Sequence, residues 1–248
     1  MRIVQISDLH LSGPSFVPDW AENVVSIVSS IAPDVLVVTG DLTDDGYAYE
    51  YDIAKRYIDR LEAENVMVVP GNHDVRNEGD KLFEEIFQTR FPHYENDKFT
   101  ILGIDSTEPD IDDGRIGRAS YSYIREKLSP AKEVKILAMH HHLIPIPATG
   151  RERNIPVDAG DVLKLCIELG VDIVFSGHKH MPWIWKLEST YFITAGTATT
   201  RRLKGKYHPS FYMLDIDMEE DKVLLKEANV ADKKLRDILR LDEITTKR

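Results

Sequence analysis

The chain has 248 residues, of which 42% are hydrophobic, and its formal net charge is -11. This length and apolar content suffice for one domain with a large buried core. The negative balance argues against binding nucleic acid through a broad basic surface, because that needs many Lys and Arg side chains to neutralise phosphates. A small anionic substrate remains compatible with the charge, since bound cations reverse the local field.

The single cysteine, Cys166, lies in an apolar stretch with helical spacing, so we expect a buried core residue rather than a nucleophile. One cysteine cannot form an intrachain disulfide, which fits a reducing compartment. The first residues become charged too early, at Arg2, for a secretion signal, and no apolar run approaches the length of a membrane span. We therefore expect a cytoplasmic protein without a membrane partner; no pattern indicates its oligomeric state.

The first part of the chain alternates short apolar runs with amphipathic segments. The runs at 3–6, 35–38 and 66–69 predict buried strands, and the segments at 24–31 and 47–61 predict helices. This order at short spacing predicts a parallel α/β sheet with right-handed crossovers. Ligands bind such sheets beyond the carboxyl ends of the strands.

The second part continues this alternation and then changes character. Strands are predicted at 99–104, 134–139 and 173–175, and helices at 82–87, 121–128 and 158–169. The loop over 143–156 is long enough to form a lid or a substrate wall. Antiparallel strands follow at 183–187, 191–194, 211–217 and 222–227, then an amphipathic helix over 232–241. No linker divides the chain, so we predict one domain over 1–248, with motifs in 1–200 and the late strands and terminal helix in 201–248.

Metal-binding residue types cluster directly after the predicted strands. Seven of the nine histidines lie there, together with Asp8, Asp41 and Asn72; the histidines are His10, His73, His140, His141, His142, His178 and His180. A mixed nitrogen and oxygen donor set favours borderline transition metals. The number of candidate donors exceeds the roughly four to six ligands that a single ion binds. We therefore infer two ions that share a carboxylate, an arrangement that activates water and clamps a phosphoryl group.

The spacing of these residues allows their side chains to reach a common metal site. Asp8 and His10 are two residues apart, as are His178 and His180, and in extended chain such pairs point the same way. Gly40 precedes Asp41, and Gly71 precedes Asn72. Glycine at those positions permits a tight turn. Arg201, Arg202 and His208 have two interpretations, a wall of the pocket or a solvated loop, and for paired arginines we favour the loop.

The combined series Asp8-x-His10, Gly40-Asp41, Gly71-Asn72-His73-Asp74, His140 and Gly177-His178-x-His180 resembles the calcineurin-like metallophosphoesterases over residues 1–200. The stretches 39–46, 117–128 and 140–143 look similar to the class III cyclic-nucleotide phosphodiesterase branch. The resemblance implies a four-layer αββα sandwich of two mixed sheets flanked by helices. It also implies two divalent transition-metal ions, drawn from Mn, Fe and Zn.

The resemblance assigns roles to individual residues. One ion would be held by Asp8, His10, Asp41 and His180, and the other by Asp41, Asn72, His140 and His178. His141 remains the alternative to His140, because the histidine run leaves the register open. His73 would contact the phosphate and either protonate the leaving oxygen or stabilise charge on it, and Asp74 would orient the His73 ring.

These expectations describe a metal-dependent enzyme acting on a small phosphodiester, such as a cyclic nucleotide, by attack of a metal-bridging hydroxide. A phosphomonoesterase or a nuclease of the same family is the first alternative, although the acidic balance counts against a nucleic acid partner. A non-catalytic scaffold of the same fold is the second, and the presence of His73 with a full ligand set counts against it.

Overall fold

The computed structural model describes residues 1–150, 154–205, 207–220, 222–242 and 244. In chain order its elements are β1 (Arg2–Ile6), α1 (Pro18–Ile31), β2 (Val35–Thr39), α2 (Ala48–Ile58), β3 (Asn65–Val69), α3 (Gly79–Phe87), β4 (His93–Glu95), β5 (Phe99–Gly103), α4 (Arg118–Leu128), β6 (Val134–Ala138), α5 (Ala159–Leu169), β7 (Ile173–Ser176), β8 (Trp183–Leu187), β9 (Thr190–Thr194), β10 (Ser210–Asp217), β11 (Lys222–Asn229) and β12 (Lys234–Arg240). Residues 151–153 of the predicted lid or wall loop lie outside the described residues.

The strands form two six-stranded mixed sheets. The first has the order β12-β11-β10-β1-β2-β3 and the second the order β4-β5-β6-β7-β9-β8. Strands β1, β2 and β3 are parallel, and β10 joins them antiparallel to β1. In the second sheet β5, β6, β7 and β9 are parallel, with antiparallel β4 and β8 at the two edges. The predicted α/β class and four-layer sandwich are confirmed.

Alternating residues of the parallel strands serve two different cores. Ile3 and Val35 belong to a cluster that also contains Ile136 of the second sheet, so this cluster lies between the sheets. Their neighbours Val4 and Leu36 pack with helices α1 and α2 on the outer face. A third cluster covers the other sheet with α4 and α5. Because both faces are buried, these strands read as continuous apolar runs.

The predicted terminal helix over 232–241 is wrong, because this segment forms strand β12. It pairs antiparallel with β11, with a register shift between Leu225 and Lys226. The apolar residues Leu235, Ile238 and Leu239 have helical spacing, but all side chains of β12 are exposed. No packing surface therefore enforces the helical period, and backbone pairing with the preceding strand decides the structure.

We expect Tyr51→Phe to lower the free energy of unfolding by about 1–3 kcal/mol. Tyr51 is fully buried in α2, and its hydroxyl donates to the Asp74 carbonyl at 2.5 Å, linking α2 to the loop after β3. Loss of the donor leaves a buried carbonyl without its partner. Urea denaturation checks this, with exposed Tyr49→Phe as the control. Equal stability of both variants would contradict the assignment.

Candidate metal centre

The polar residues after five parallel strands meet at one end of the sandwich. In the order β1, β2, β3, β6 and β7, these residues are Asp8, Asp41, Asn72, His140 and His178. The Asp8 amide donates to the Gly40 carbonyl at 3.0 Å, which joins two loops of the first sheet. The His178 amide donates to both Asp8 carboxylate oxygens at 3.1 Å, which joins the two sheets. The strand-end clustering therefore becomes a three-dimensional site.

Most of the seven predicted metal ligands do not converge through strand alternation. Five of them have positive φ angles, between 42° and 74°, namely Asp8, His10, Asp41, His178 and His180. They lie beyond the strands, in left-handed turns that cost non-glycine residues free energy and persist only where the surroundings hold them. The i, i+2 argument therefore paired the correct residues for the wrong geometric reason.

Two glycines allow the loops to approach each other closely. A Cβ atom on Gly71 would lie 2.2 Å from Asp41 Oδ1, and one on Gly177 would lie 1.8 Å from Ser7 Oγ and 2.5 Å from Asp8 Oδ2. No side chain fits at these distances. The carboxylates of Asp8 and Asp41 are thus packed against bare backbone, which fixes their positions.

The first candidate ligand group consists of Asp8, His10, Asp41 and His180, whose ligand atoms all lie within 4.8 Å of one another. His180 Nε2 is 3.2 Å from Asp8 Oδ1 and 3.1 Å from His10 Nε2. His10 Nε2 is 3.6 Å from Asp41 Oδ2. All four side chains are buried.

The hydrogen bonds of the two histidines fix which nitrogen carries the hydrogen. His180 Nδ1 lies 3.0 Å from the carbonyl oxygen of Arg202, which can only accept, so this nitrogen donates. His10 Nδ1 lies 3.1 Å from Asp44 Oδ1 and donates in the same way. With Nε2 unprotonated in both rings, as metal binding requires, the two lone pairs face each other at 3.1 Å beside the Asp8 carboxylate. A cation between them removes the repulsion, so the donor set fits a metal ion.

The second candidate group consists of Asp41, His140 and His178, again within 4.8 Å. Asn72 Oδ1 lies 3.0 Å from His140 Nε2 and 2.9 Å from His178 Nδ1. The Asn72 amide nitrogen donates to Asp112 at 3.0 Å, which assigns the oxygen to the histidine side. The four residues that the resemblance grouped around the second ion are thus brought together.

The charges of the site favour a bound cation. Burial alone would raise the pKa of Asp41, but His140 and His73 hold that pKa well below its ordinary value. Burial alone would lower the pKa of His140, but the Asp41 carboxylate raises that pKa to about 9. Metal-free, His140 would hold a proton that a metal ion displaces.

The histidine run has one member in the donor set. His140 Nε2 lies 3.4 Å from Asp41 Oδ2, with its Nδ1 2.8 Å from the Thr39 carbonyl. The His141 ring instead contacts Ser106 Oγ through Nδ1 at 2.9 Å and the Asp112 carbonyl through Nε2 at 3.2 Å. Burial lowers the pKa of His141 to about 3, which keeps this ring neutral.

His73 lies beside both groups, and its Nδ1 is 3.7 Å from Asp44 Oδ1, so that His10, Asp44 and His73 form a third, partly buried cluster of possible ligands. Its backbone amide donates to Asp41 Oδ1 at 2.9 Å, and its ring stands edge-on to His10 with centroids 4.6 Å apart. His73 Nδ1 lies 2.6 Å from the Asp44 carbonyl and 2.9 Å from Arg76 Nη1. The shorter contact places the hydrogen on Nδ1 and leaves Nε2 as the free ring nitrogen.

The predicted contact between Asp74 and the His73 ring is wrong. The buried Asp74 carboxylate accepts hydrogen bonds from the Thr43 amide and hydroxyl and from the Gly71 amide, each at 2.9 Å. Burial, followed by the nearby Asp41 charge, raises the pKa of Asp74 to about 6. Asp74 therefore holds the loops that carry Asp41 and His73 rather than the ring itself.

Sequence reasoning missed Asp44 and misplaced Arg202. Asp44 Oδ1 lies 3.1 Å from His10 Nδ1 and 2.8 Å from Arg202 Nη2. A hydrogen bond from His10 is the main reason that the pKa of Asp44 is lowered. Arg202, expected in a solvated loop, reaches the site from the chain that follows β9. In the sequence, only the position of Asp44, three residues after the predicted ligand Asp41, could have indicated that it lies at the site.

A groove of about 380 Å³ opens beside the ligand groups. Its lining includes Asp41, Asn72, His73, Asp112, Thr149, Asn154, His178, Lys179, His180, Arg202, Leu203 and Lys204. That volume accommodates a small organic ligand. Among the described helices, none is long and apolar enough to cross a membrane.

The comparison with family models identifies the class of protein. Residues 1–182 match the family described as Calcineurin-like phosphoesterase, and this span contains every residue of both candidate groups. The chain therefore belongs to that family and is a metal-dependent phosphoesterase.

Named relatives agree with this class. The chain is 30% identical over 196 residues to a probable cyclic nucleotide phosphodiesterase of Rhodococcus erythropolis, covering 72% of this chain and 64% of the relative. It therefore spans less than two thirds of that relative. A probable cyclic nucleotide phosphodiesterase of Xenorhabdus bovienii is 27% identical over 207 residues, covering 75% and 81%. A probable glycerophosphodiester phosphodiesterase of Arcobacter nitrofigilis is 26% identical over 159 residues, covering 57% of each.

Solved structures share the fold. A purple acid phosphatase from yellow lupin (Lupinus luteus) seeds superposes with a TM-score of 0.75 at 16% identity, covering 96% of this chain and 52% of that one. The anchor in the inner membrane complex of Plasmodium gives 0.71 at 14% identity, covering 96% and 88%. At these identities the likeness shows the fold alone.

We expect Gly177→Ala to lower the metal content of the purified protein, because the added methyl group displaces Ser7 and the Asp8 carboxylate. Gly160→Ala is the matched control, since a Cβ atom there meets nothing within 4 Å. Metal analysis by mass spectrometry checks both variants after loading with Mn²⁺. Full metal content in a folded Gly177→Ala protein would contradict the prediction that the position of the Asp8 carboxylate controls metal binding.

Proposed function

We propose that this protein hydrolyses a small phosphodiester, with cyclic nucleotides among the candidate substrates, using two divalent transition-metal ions drawn from Mn, Fe and Zn. The observation that carries the proposal is a single buried carboxylate shared by two ligand groups. Asp41 Oδ2 lies 3.6 Å from His10 Nε2 in one group and 3.4 Å from His140 Nε2 in the other. A shared oxygen at these distances supports Asp41 as the bridging ligand.

When bound, two ions at such a site supply an activated water and neutralise charge on the phosphate. The residues of the chain then provide ligands and one proton donor. Asp8, His10, Asp41 and His180 would hold one ion, and Asp41, Asn72, His140 and His178 the other. Cys166, the only cysteine, is buried in α5, which supports a mechanism without a thiol nucleophile.

His73 is proposed as the general acid. Its Nδ1–H is engaged by the Asp44 carbonyl, and its ring lies in the groove lining next to both ligand groups. The free Nε2, when protonated, can donate to the leaving oxygen as the ester bond breaks. Arg76 Nη1 donates to the same Asp44 carbonyl at 3.1 Å, so this carbonyl is held in place beside the ring.

A diester is favoured over a monoester because the groove continues beyond the ligand groups, past Thr149, Asn154 and Lys204. This extension offers room for a second ester substituent. The names of the relatives support the same class. We further propose a cytoplasmic protein that has no nucleic acid partner, on the grounds of the single buried cysteine and the net charge of -11.

The proposal is tested by a hydrolysis panel with Mn²⁺. The panel compares an activated aryl diester, an activated aryl monoester, cyclic nucleotides and single-stranded DNA. Preference for the diesters supports the proposal. Preference for the monoester or for DNA would establish the alternative phosphomonoesterase or nuclease, and absence of all turnover in the metal-loaded protein would favour a scaffold.

We expect His73→Ala to keep its metal ions and to lose about 10²–10⁴-fold in kcat on the preferred panel substrate, the range for loss of a general acid. His93→Ala is the matched control, because His93 lies in β4 and outside both ligand groups. Stopped assays with metal analysis on the same samples check this. Wild-type turnover in His73→Ala would remove the role given to this ring.

We expect Asp41→Asn to reduce metal content at both positions rather than at one. The amide keeps the size of the side chain but removes the negative charge that both groups share. Metal titration followed by calorimetry counts the ions bound per chain. Unchanged occupancy by two ions would exclude a bridging role for Asp41.

A further inference from the structure

We propose that Lys179, with Asn154 and Lys204, forms a subsite for a second anionic group carried by the substrate. The preferred substrates are then diesters with a carboxylate or a further phosphate in addition to the scissile phosphate. This inference rests on the proposed function and specifies the substrate class of that site.

The position of Lys179 ties this subsite to the ligand groups. Lys179 lies between His178 and His180, and all three residues line the groove. Its side chain is only partly accessible, because the residue as a whole is 8% exposed. Its Nζ donates to Asn154 Oδ1 at 2.9 Å, from the loop that follows β6. A substrate held at the ligand groups therefore extends along this wall.

Most other charged side chains of the groove already have partners. Arg202 pairs with Asp44 at 2.8 Å, and Asp112 pairs with Arg76 at 2.9 Å. Asp41 faces the histidines of both ligand groups.

Within the part of the chain that the structure describes, neither Lys179 nor Lys204 forms an ion pair. Two cations without a directly bonded counter-charge among the described residues therefore line one wall of the groove, with Asp113 and Asp112 acting on Lys179 only at longer range.

A purely structural role leaves this arrangement unexplained. In the described contacts, the Lys179 ammonium group donates one of its three hydrogens, to Asn154. Asn154 is a neutral amide and supplies no counter-charge. Burying a cation without a directly bonded counter-charge costs free energy. An incoming anionic group offsets that cost, and Lys is a common point-charge ligand for phosphate and carboxylate. Lys204 is exposed, so it also attracts an anionic group of the substrate, but dissolved salt weakens this attraction.

The test uses two matched methyl aryl phosphodiesters, whose leaving groups are 4-carboxyphenol and 4-carboxamidophenol. They differ in one negative charge. In the metal-loaded wild-type protein we expect a higher kcat/KM for the carboxylate substrate. Lys179→Met should reduce the carboxylate-to-carboxamide ratio about tenfold or more, as expected for loss of a charged hydrogen bond. Because the intrinsic reactivities of the two substrates cancel when the variant is compared with the wild type, the change in the ratio reports the subsite.

Two controls accompany the variant. Lys179→Arg keeps the charge and should retain the ratio. Lys164→Met removes a lysine from the exposed surface of α5 that is not among the groove-lining residues, and should also retain the ratio. Metal analysis of each variant confirms that the ligand loop is intact.

The outcomes separate the subsite from the proposed function. Equal loss on both substrates, or an unchanged ratio in Lys179→Met, overturns the subsite while leaving phosphodiester hydrolysis in place. Absence of turnover in the wild-type protein overturns the proposed function. In that case calorimetric binding of the two diesters to the metal-loaded protein still measures the subsite. A carboxylate preference that Lys179→Met abolishes supports it, and equal binding refutes it.

Discussion

The site depends on lone pairs that converge without a hydrogen between them. In the metal-binding tautomer His10 and His180 donate from Nδ1 to Asp44 and to the Arg202 carbonyl, and their unprotonated Nε2 atoms lie 3.1 Å apart. Carboxylate oxygens surround them, and a second set of donors shares Asp41. Such a cluster is unfavourable by itself and becomes favourable around cations, which is why the chemistry of the donor set indicates metal binding so strongly.

The surrounding fold holds this unfavourable cluster together. Both faces of the parallel strands are buried, so the strand ends are rigid anchors for the loops that follow. Backbone-to-carboxylate contacts such as His178 to Asp8 connect the two sheets directly at the site. The buried carboxylate of Asp74 ties together the loops after β2 and β3. Ligand positions are therefore set by the scaffold rather than by the ion.

Charge is distributed unevenly between the surface and the groove. The chain is acidic overall, yet cationic side chains line one wall beside the ligand groups. Arg202 is neutralised by Asp44, whose other contacts orient His10 and His73. The remaining cations face the groove. Net charge thus predicts which large partners are disfavoured, while local placement determines which small anions are attracted.

The sequence by itself determined the layered α/β fold and the membership of the donor set. Strands buried on both faces must be apolar throughout, so they can be recognised as short apolar runs. Metal-binding residues directly after several parallel strands must share one edge of the sheet, so their positions after those runs predict a common site. The same reasoning failed at β12, because an exposed segment has no buried face to make its period meaningful. Only the tertiary structure decided that His140 rather than His141 faces Asp41, and that Asp44, not Asp74, contacts the His73 ring. It alone brought Arg202 and Lys179 to the groove. These pairings join residues far apart in the chain or turn on a single backbone dihedral, and neither kind of contact leaves a periodic pattern in the sequence.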